Sequence, residues 1–436
     1  MHQVDEQLTQ KILAAVEQGF EEQIAFTEEL IRFPSLRGKE KPAQDFVHQA
    51  LEARGYAVET FHIEEHKIKD HPGFSPIAVD YSDAVNVVAT HEPREARGRS
   101  LILNGHMDVV PEGPHDMWEV SPPYEPKRVG DWLYGRGGGD MKAGIAANIF
   151  ALDALARIGL QPAAKVHVQS VVEEECTGNG ALACLVEGYT ADAAIIPEPE
   201  DEKLVRANCG VLWFEVTVSG HPVHVREAGT GASAIEASYR VIESLKRMTE
   251  AWNAEKVNYP YFEDLEHPIN FNVGRIEGGD WASSVPAWCK ISCRIAIYPG
   301  DDPKDRAAQI EAHLARELAD DPFLGNRLPE ITWNGFFARG YVLEEGSDAE
   351  KALAAAHRTA TSSELEAFVT PGYLDARVFV IYAGMPCLVY GPITENIHGF
   401  DERVSLSSLK RVTGAIALFI ADWCGVEPVD PEGKHG

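Results

Sequence analysis

His106 and Asp108 stand two residues apart behind an apolar run, in Leu101-Ile-Leu-Asn-Gly-His-Met-Asp-Val-Val-Pro111. On an extended chain that spacing turns both side chains the same way. A neutral imidazole can bind a metal through one nitrogen while a carboxylate fixes the other. Taken alone, the pair reads more simply as a bland His and Asp at a strand end. Asp140 closes a glycine run in Tyr134-Gly-Arg-Gly-Gly-Gly-Asp-Met-Lys-Ala-Gly144. Those glycines let backbone approach a ligand closely, although Asp140 could simply cap the helix behind it. Phosphate-loop and dinucleotide patterns need GK[ST] or GxGxxG, and neither is present. Glu173, Glu174 and Glu175 directly follow the apolar stretch 166–172. Three carboxylates at the end of a buried strand repel one another unless something positive neutralises them. One could then bind metal while another moves protons. Glu198, in Ile196-Pro-Glu-Pro199, and His398, in the segment Gly391 to Glu402, also follow apolar strands. Two histidines with three carboxylates suit zinc, cobalt or manganese, with a bridging carboxylate holding two ions about 3.5–4 Å apart.

The elements that must position these residues alternate. Helical periodicity covers 6–33, 42–54 and 141–158, with a further helix through 181–186. Short buried strands fall at 86–90, 100–104, 165–172 and 191–197. This is the pattern of an α/β fold whose mostly parallel sheet carries helices on both faces. The character changes near Cys209. Residues 211–219 alternate apolar and polar, as a half-exposed antiparallel strand does. A helix at 232–247, strands at 271–276 and 287–297, a helix at 305–318 and a strand near 331–333 make a ferredoxin-like α+β order. The insert is placed at 209–324, and 1–208 with 325–436 form one discontinuous catalytic domain. The α/β pattern resumes with a helix at 349–361, a strand at 386–390 and a helix at 405–423. The acidic, aromatic stretch 252–266 reads as a long loop able to reshape a pocket. The tail beyond Cys424 reads as frayed.

A chain of 436 residues exceeds one compact core. Its 44% hydrophobic and 25% charged residues are those of a soluble globular protein. A formal charge of −29 disfavours nucleic acid as a partner. Residues 1–23 lack the apolar centre of a signal peptide, and no run is long enough for a membrane span. Seven scattered cysteines without a CxxC pair read as reduced thiols of a cytoplasmic protein, not as a zinc-thiolate site.

With these motifs in order, the chain resembles the co-catalytic dinuclear zinc family of acetylornithine deacetylase, succinyl-diaminopimelate desuccinylase, aminoacylase-1 and glutamate carboxypeptidase. The acetylornithine deacetylase-like branch is the nearest in look. The resemblance covers nearly the whole chain through GHMDVVP, the segment 118–123, YGRGGGDMKAG, EEE with Gly180 beyond it, PEP and IHGFDE. It implies a metal-dependent hydrolase of an N-acyl amino acid or related small amide, with two Zn2+ per subunit replaceable by Co2+ or Mn2+. His106 and His398 would each bind one ion, Asp140 would bridge them, and Glu175 and Glu198 would complete the two spheres. Asp108 would orient His106. Glu174 would be the general base, taking a proton from the water between the ions and passing it to the leaving amine. The Asp140–Met141 peptide would be cis. The insert would serve as lid and homodimer interface, with His224, or failing that His221, reaching the partner's oxyanion. Asn272, Arg294 and Arg377 would hold the carboxylate of the substrate. A surface salt bridge is the plainer reading for each arginine.

The chain departs from the family pattern at Glu173, at Ser284 and at Tyr373-Leu374, away from the metal set and toward the substrate pocket. Glu198, where related aminopeptidases carry Asp, favours the deacylase and carboxypeptidase branches. A dipeptidase or carboxypeptidase is the alternative within the family, and an inactive binding homologue the alternative outside enzymes.

Overall fold

Asp5 accepts the amide hydrogen of Leu8 and so starts helix α1 (Glu6–Arg32), a capping arrangement that satisfies an otherwise unpaired donor. Ile12, Val16, Phe20, Ile24 and Ile31 recur on its buried face, and Pro34 forces the preceding Phe33 out of the helical region. The structure, a computed structural model, describes residues 5–429. Helix α2 (Lys41–Glu52) and strand β1 (Ala57–His62) follow, then β2 (Val85–His91) and β3 (Leu101–His106). Helix α3 (Ala143–Arg157), β4 (Val166–Val171), α4 (Asn179–Val186) and β5 (Ala193–Ile196) complete the first half.

The insert contributes β6 (Gly210–Ser219), α5 (Ala234–Asn253), β7 (Phe271–Gly278), β8 (Trp288–Ile297), α6 (Pro303–Glu317) and β9 (Glu330–Ala338). The chain returns through α7 (Asp348–Thr361), β10 (Cys387–Val389) and α8 (Leu406–Trp423).

The large sheet has the order β1-β2-β4-β3-β5-β10. Strands β4, β3, β5 and β10 run parallel, and β1 and β2 form an antiparallel edge. Every residue of β3, β4 and β5 is buried, as both-face coverage demands. Along β2 the faces separate. Val87 and Ala89 join the main core with α1, α3 and α8, whereas Asn86 and Val88 meet Cys184 of α4. Because the central strands are parallel, their carboxyl ends share one edge, where open α/β sheets bind ligands.

The insert forms its own antiparallel sheet, β7-β8-β6-β9, with its own core. Leu212, Phe214, Ile291 and Ile295 pack into that core, while the alternate residues Trp213, Ser292 and Arg294 face away from it, toward the catalytic domain.

Four expectations need correction. The sheet of the insert runs to Ala338, beyond 324, because β9 pairs with β6. Strand β1 is absent from the expected strands because its residues are mostly exposed and its half-buried Val58 and Phe61 stand three apart, outside the period of two. The stretch 252–266 is no free loop: α5 continues to Asn253, Trp252 and Phe262 are buried in the core of the insert, and Tyr259 stacks on Tyr298. None of its residues lines the large cavity described below. Finally, Val426–Pro428 pairs with Leu160–Pro162 instead of fraying. The rest of that tail, 430–436, and the first residues, 1–4, lie outside the described residues. Among the described residues, no helix is long and apolar enough to cross a membrane.

Candidate metal centre

His106 ends β3, and its Nδ1 lies 2.9 Å from the main-chain oxygen of Asp108. A carbonyl only accepts, so Nδ1 carries the proton and Nε2 presents a lone pair. The Asp108 carboxylate, 3.6 Å from Nδ1, is turned to another task. Its two oxygens accept the amide hydrogens of Glu174 and Glu175, at 3.3 and 3.0 Å. Orientation of His106 thus falls to the carbonyl of Asp108, and the carboxylate instead holds the acidic turn.

That turn separates its three acids. Glu173, at φ 70°, directs its carboxylate away from the cluster. Arg37 grips it at 2.5 and 2.7 Å, with Tyr81 at 2.5 Å and Thr177 at 2.9 Å. This is the neutralising charge that three adjacent glutamates require. Glu174 and Glu175 turn the other way. Glu175 Oε1 lies 3.3 Å from His398 Nε2, and Glu174 Oε2 lies 3.9 Å from His106 Nε2.

Asp140 caps no helix. The first turn of α3 has no side-chain cap, and the Asp140 carboxylate sits between the two imidazoles. Oδ1 is 3.1 Å from His106 Nε2, and Oδ2 is 3.3 Å from His398 Nε2. Glu198 Oε1 stands 3.7 Å from His106 Nε2. The peptide from Asp140 to Met141 is cis. A buried glutamate, Glu402, holds this loop. Its Oε1 accepts the amide hydrogens of Gly139 and Asp140 at 2.9 and 3.0 Å, and its Oε2 accepts from Arg136 at 2.6 Å. Arg136 in turn donates to the carbonyl of Gly399, beside His398. One ion pair therefore ties the loop of Asp140 to that of His398. Glu402 stands in the IHGFDE motif, yet no spacing rule points from it to amides some 260 positions earlier.

The result is two half-sites, His106 with Glu198 and His398 with Glu175, sharing Asp140. Their donors fit divalent cations. Ligand atoms arranged tetrahedrally at 2.0–2.1 Å from zinc would lie about 3.3 Å apart, and the separations here run from 3.1 to 3.7 Å. A ring nitrogen of His106 and one carboxylate oxygen each of Asp140 and Glu175, drawn from both half-sites, lie within 4.8 Å of one another. The Oε1 atoms of Glu175 and Glu198 are buried without a hydrogen-bond partner.

Electrostatics agree. Burial pushes the Glu198 carboxyl up to about 7 and that of Glu174 well above its ordinary value. Chiefly through Glu175, His398 rises to about 11. Burial alone would lower His106, but Glu198 and Asp140 outweigh it and raise it. Burial alone would raise Asp140, and the hydrogen bonds with the two histidines reverse the sign. Every shift expresses one demand, for positive charge among buried carboxylates.

A cavity of about 730 Å³ opens above the centre. Asp140, Glu174, Glu198 and His398 form its floor, and the insert sheet forms its roof. Asn272, Arg294 and Trp213 lie opposite one another across β7, β8 and β6, so their side chains share the face that lines the cavity. Arg294 donates to the Pro371 carbonyl at 3.1 Å, and burial lowers its pKa. No carboxylate among the described residues pairs with it.

Arg377 is brought elsewhere. It is fully buried and lines no part of the cavity. Its Nε donates to the Tyr373 hydroxyl at 2.9 Å and its Nη2 to the Gly73 carbonyl at 3.0 Å. Tyr373, where the family pattern has a small residue, has claimed this guanidinium, so Arg377 is no substrate anchor in this arrangement. His224 and His221 are exposed on the insert and do not line the cavity of their own chain. His224 Nδ1 accepts the amide hydrogen of Arg226 at 3.1 Å, leaving Nε2 free.

A sheet-end cluster of two linked half-sites, with a separate buried carboxylate beside it, defines a metal-dependent hydrolase of amide bonds. The profile of peptidase family M20/M25/M40 matches residues 102–422, and the chain belongs to that family. It is similar to N-formyl-4-amino-5-aminomethyl-2-methylpyrimidine deformylase of Halalkalibacterium halodurans, 27% identical over 95% of this chain and 97% of that one. The Bacillus subtilis deformylase of the same name is 30% identical over 74% and 79%. Succinyl-diaminopimelate desuccinylase of Caulobacter vibrioides is 27% identical over 91% and 95%. In fold the chain is similar to the dipeptidase Dug1p of Saccharomyces cerevisiae, with a TM-score of 0.79 at 14% identity, covering 95% of this chain and 98% of that one.

Proposed function

We propose that the chain removes a small acyl group from the nitrogen of a carboxylate-bearing amine, with two divalent cations, zinc in the first instance, at the shared site. The observation that carries this reading is Asp140, one oxygen toward each histidine, with the Glu174 carboxylate alongside and facing the cavity. When bound, two such cations polarise the scissile carbonyl and acidify the attacking water.

The protein supplies the rest. Arg294, a half-buried guanidinium without a carboxylate of its own, and Asn272 across the strand hold the anionic end of the substrate. Glu174 takes the proton of the water and delivers it to the leaving nitrogen. Burial raises its affinity for that proton, which suits a group that must hold it between the two transfers. His224 of a second copy, presented by the insert, donates to the developing oxyanion, so the working unit is a homodimer. The seven thiols suit a cytosolic setting.

The test is a panel of N-formyl, N-acetyl and N-succinyl amino acids offered to zinc- or cobalt-loaded protein, with the N-formyl aminomethylpyrimidine named for the two deformylases as the member that lacks a carboxylate. Hydrolysis of at least one amino acid derivative, abolished by chelation and restored by metal, is the expected result, and cleavage of the pyrimidine alone would reject the carboxylate. A metal-loaded protein inert toward the whole panel would overturn the proposal.

A further inference from the structure

Tyr373 does more than occupy Arg377. Its hydroxyl accepts from Arg377 Nε and donates to Asp375 Oδ1, both at 2.9 Å. The phenol oxygen is thereby used, and what the residue offers the cavity is its ring. That ring packs against Phe336 with centroids 4.2 Å apart, and Phe336 meets Trp213 edge-on at 5.1 Å. The three aromatics, with Val211 and Ala338, form a small apolar cluster separate from the cores of both domains. All three line the cavity.

Two glycines make room for the wall. A Cβ at Gly178 would fall 1.7 Å from the Tyr373 hydroxyl, and one at Gly335, which sits at φ +76°, would fall 2.5 Å from the Trp213 ring. Trp213 is also directly opposite Arg294 in the strand register. Paired strands lie about 4.8 Å apart, so the aromatic wall begins one strand away from the cation that has no carboxylate partner.

We infer that the substrate carries a flat aromatic or heteroaromatic ring, seated against Trp213, Phe336 and Tyr373, a few bonds from the group held by Arg294. The inference rests on the amide-hydrolase reading and sharpens it. A polyanionic aliphatic substrate would need a second unpaired cation, but Arg37 and Arg275, which also line the cavity, pair with Glu173 and Glu277, and Arg377 is buried beneath the wall. A planar ring instead gains stacked or edge-on contacts that a puckered ring of equal size and charge cannot make.

The experiment uses matched pairs on the zinc-loaded full chain: N-formylphenylalanine against N-formylcyclohexylalanine for a ring on the amine side, and N-phenylacetylglycine against N-cyclohexylacetylglycine for the acyl side. In at least one pair, kcat/KM for the aromatic member is expected to be about three- to tenfold higher. Phe336→Leu should bring that ratio toward one, and Trp213→Leu is the second variant should the first fail to fold. Equal rates within both pairs, or an unchanged ratio in the folded variants, would overturn the inference and leave the hydrolase reading standing. If no amide is cleaved, the hydrolase reading falls. Calorimetric binding of the same pairs to Glu174→Gln protein then decides the wall by itself, tighter aromatic binding supporting it and equal binding rejecting it.

Discussion

The edge of the parallel sheet and the roof made by the insert face each other across one cavity, yet they are built differently. At the sheet edge His106 is fixed from behind by the carbonyl of Asp108, the turn of Glu174 and Glu175 by the carboxylate of Asp108, and Asp140 by Glu402. The strands that deliver His106 and the acidic turn are wholly buried. On the roof, β7 is an edge strand with mostly exposed residues. Asn272 and Arg294 are placed there by strand register, with a single carbonyl contact for Arg294. The difference suits the tasks proposed for the two sides: chemistry that demands sub-ångström placement would sit on the rigid edge, and choice of substrate on a surface that can vary without disturbing it.

Substitutions on the two sides should therefore leave different kinetic signatures. Glu174→Ala is expected to have the largest effect, lowering kcat by about 10²–10⁴-fold for every substrate, with metal content retained. Equal activity in wild type and variant would remove Glu174 from the proton transfers. His224→Ala should cost roughly 10²-fold or more in kcat. Since the residue would act in the other subunit, mixing inactive His224→Ala and Glu174→Ala chains should regain part of the activity. Absence of any regain after subunit exchange would confine the site to one chain. Glu402→Gln should weaken metal binding by about 10–100-fold, read by chelator competition, while the fold persists. Unchanged affinity would make the Arg136–Glu402 pair a matter of fold alone. Arg294→Ala should act on the roof only. KM for carboxylate-bearing amides should rise by about tenfold or more while kcat changes little, in keeping with loss of a charged hydrogen bond. A fall in kcat with KM unchanged would move Arg294 from binding to catalysis.

The same contrast explains what could be read in advance. Apolar strands followed at once by His, Asp or Glu are local patterns, and a parallel sheet converts them into one cluster. The positions of His106, Asp140, Glu174, Glu175, Glu198 and His398 were thus legible. The helix–strand order of the insert was legible for a similar reason, since its strands alternate around a core. What stayed hidden depends on contacts between distant segments. Nothing near Glu402 shows that it holds the amide of Asp140. Nothing near Arg377 shows that Tyr373 and Gly73 bind it; Tyr373 was visible as a departure, but its consequence was not. Strand β1 lacks a period-two signal because an edge strand is mostly exposed and its half-buried Val58 and Phe61 stand three apart. The reach proposed for His224 would need a second copy of the chain, which one sequence can suggest only through resemblance.

The central claim, two cation half-sites joined through Asp140, is tested most directly by titrating metal-free protein with Zn2+ while following both bound metal and hydrolysis. The account predicts that binding levels off at two ions per chain, and that Asp140→Ala loses tight binding at both half-sites together. Full activity at one ion per chain, activity surviving exhaustive chelation, or an Asp140→Ala protein that still binds two ions tightly would contradict it.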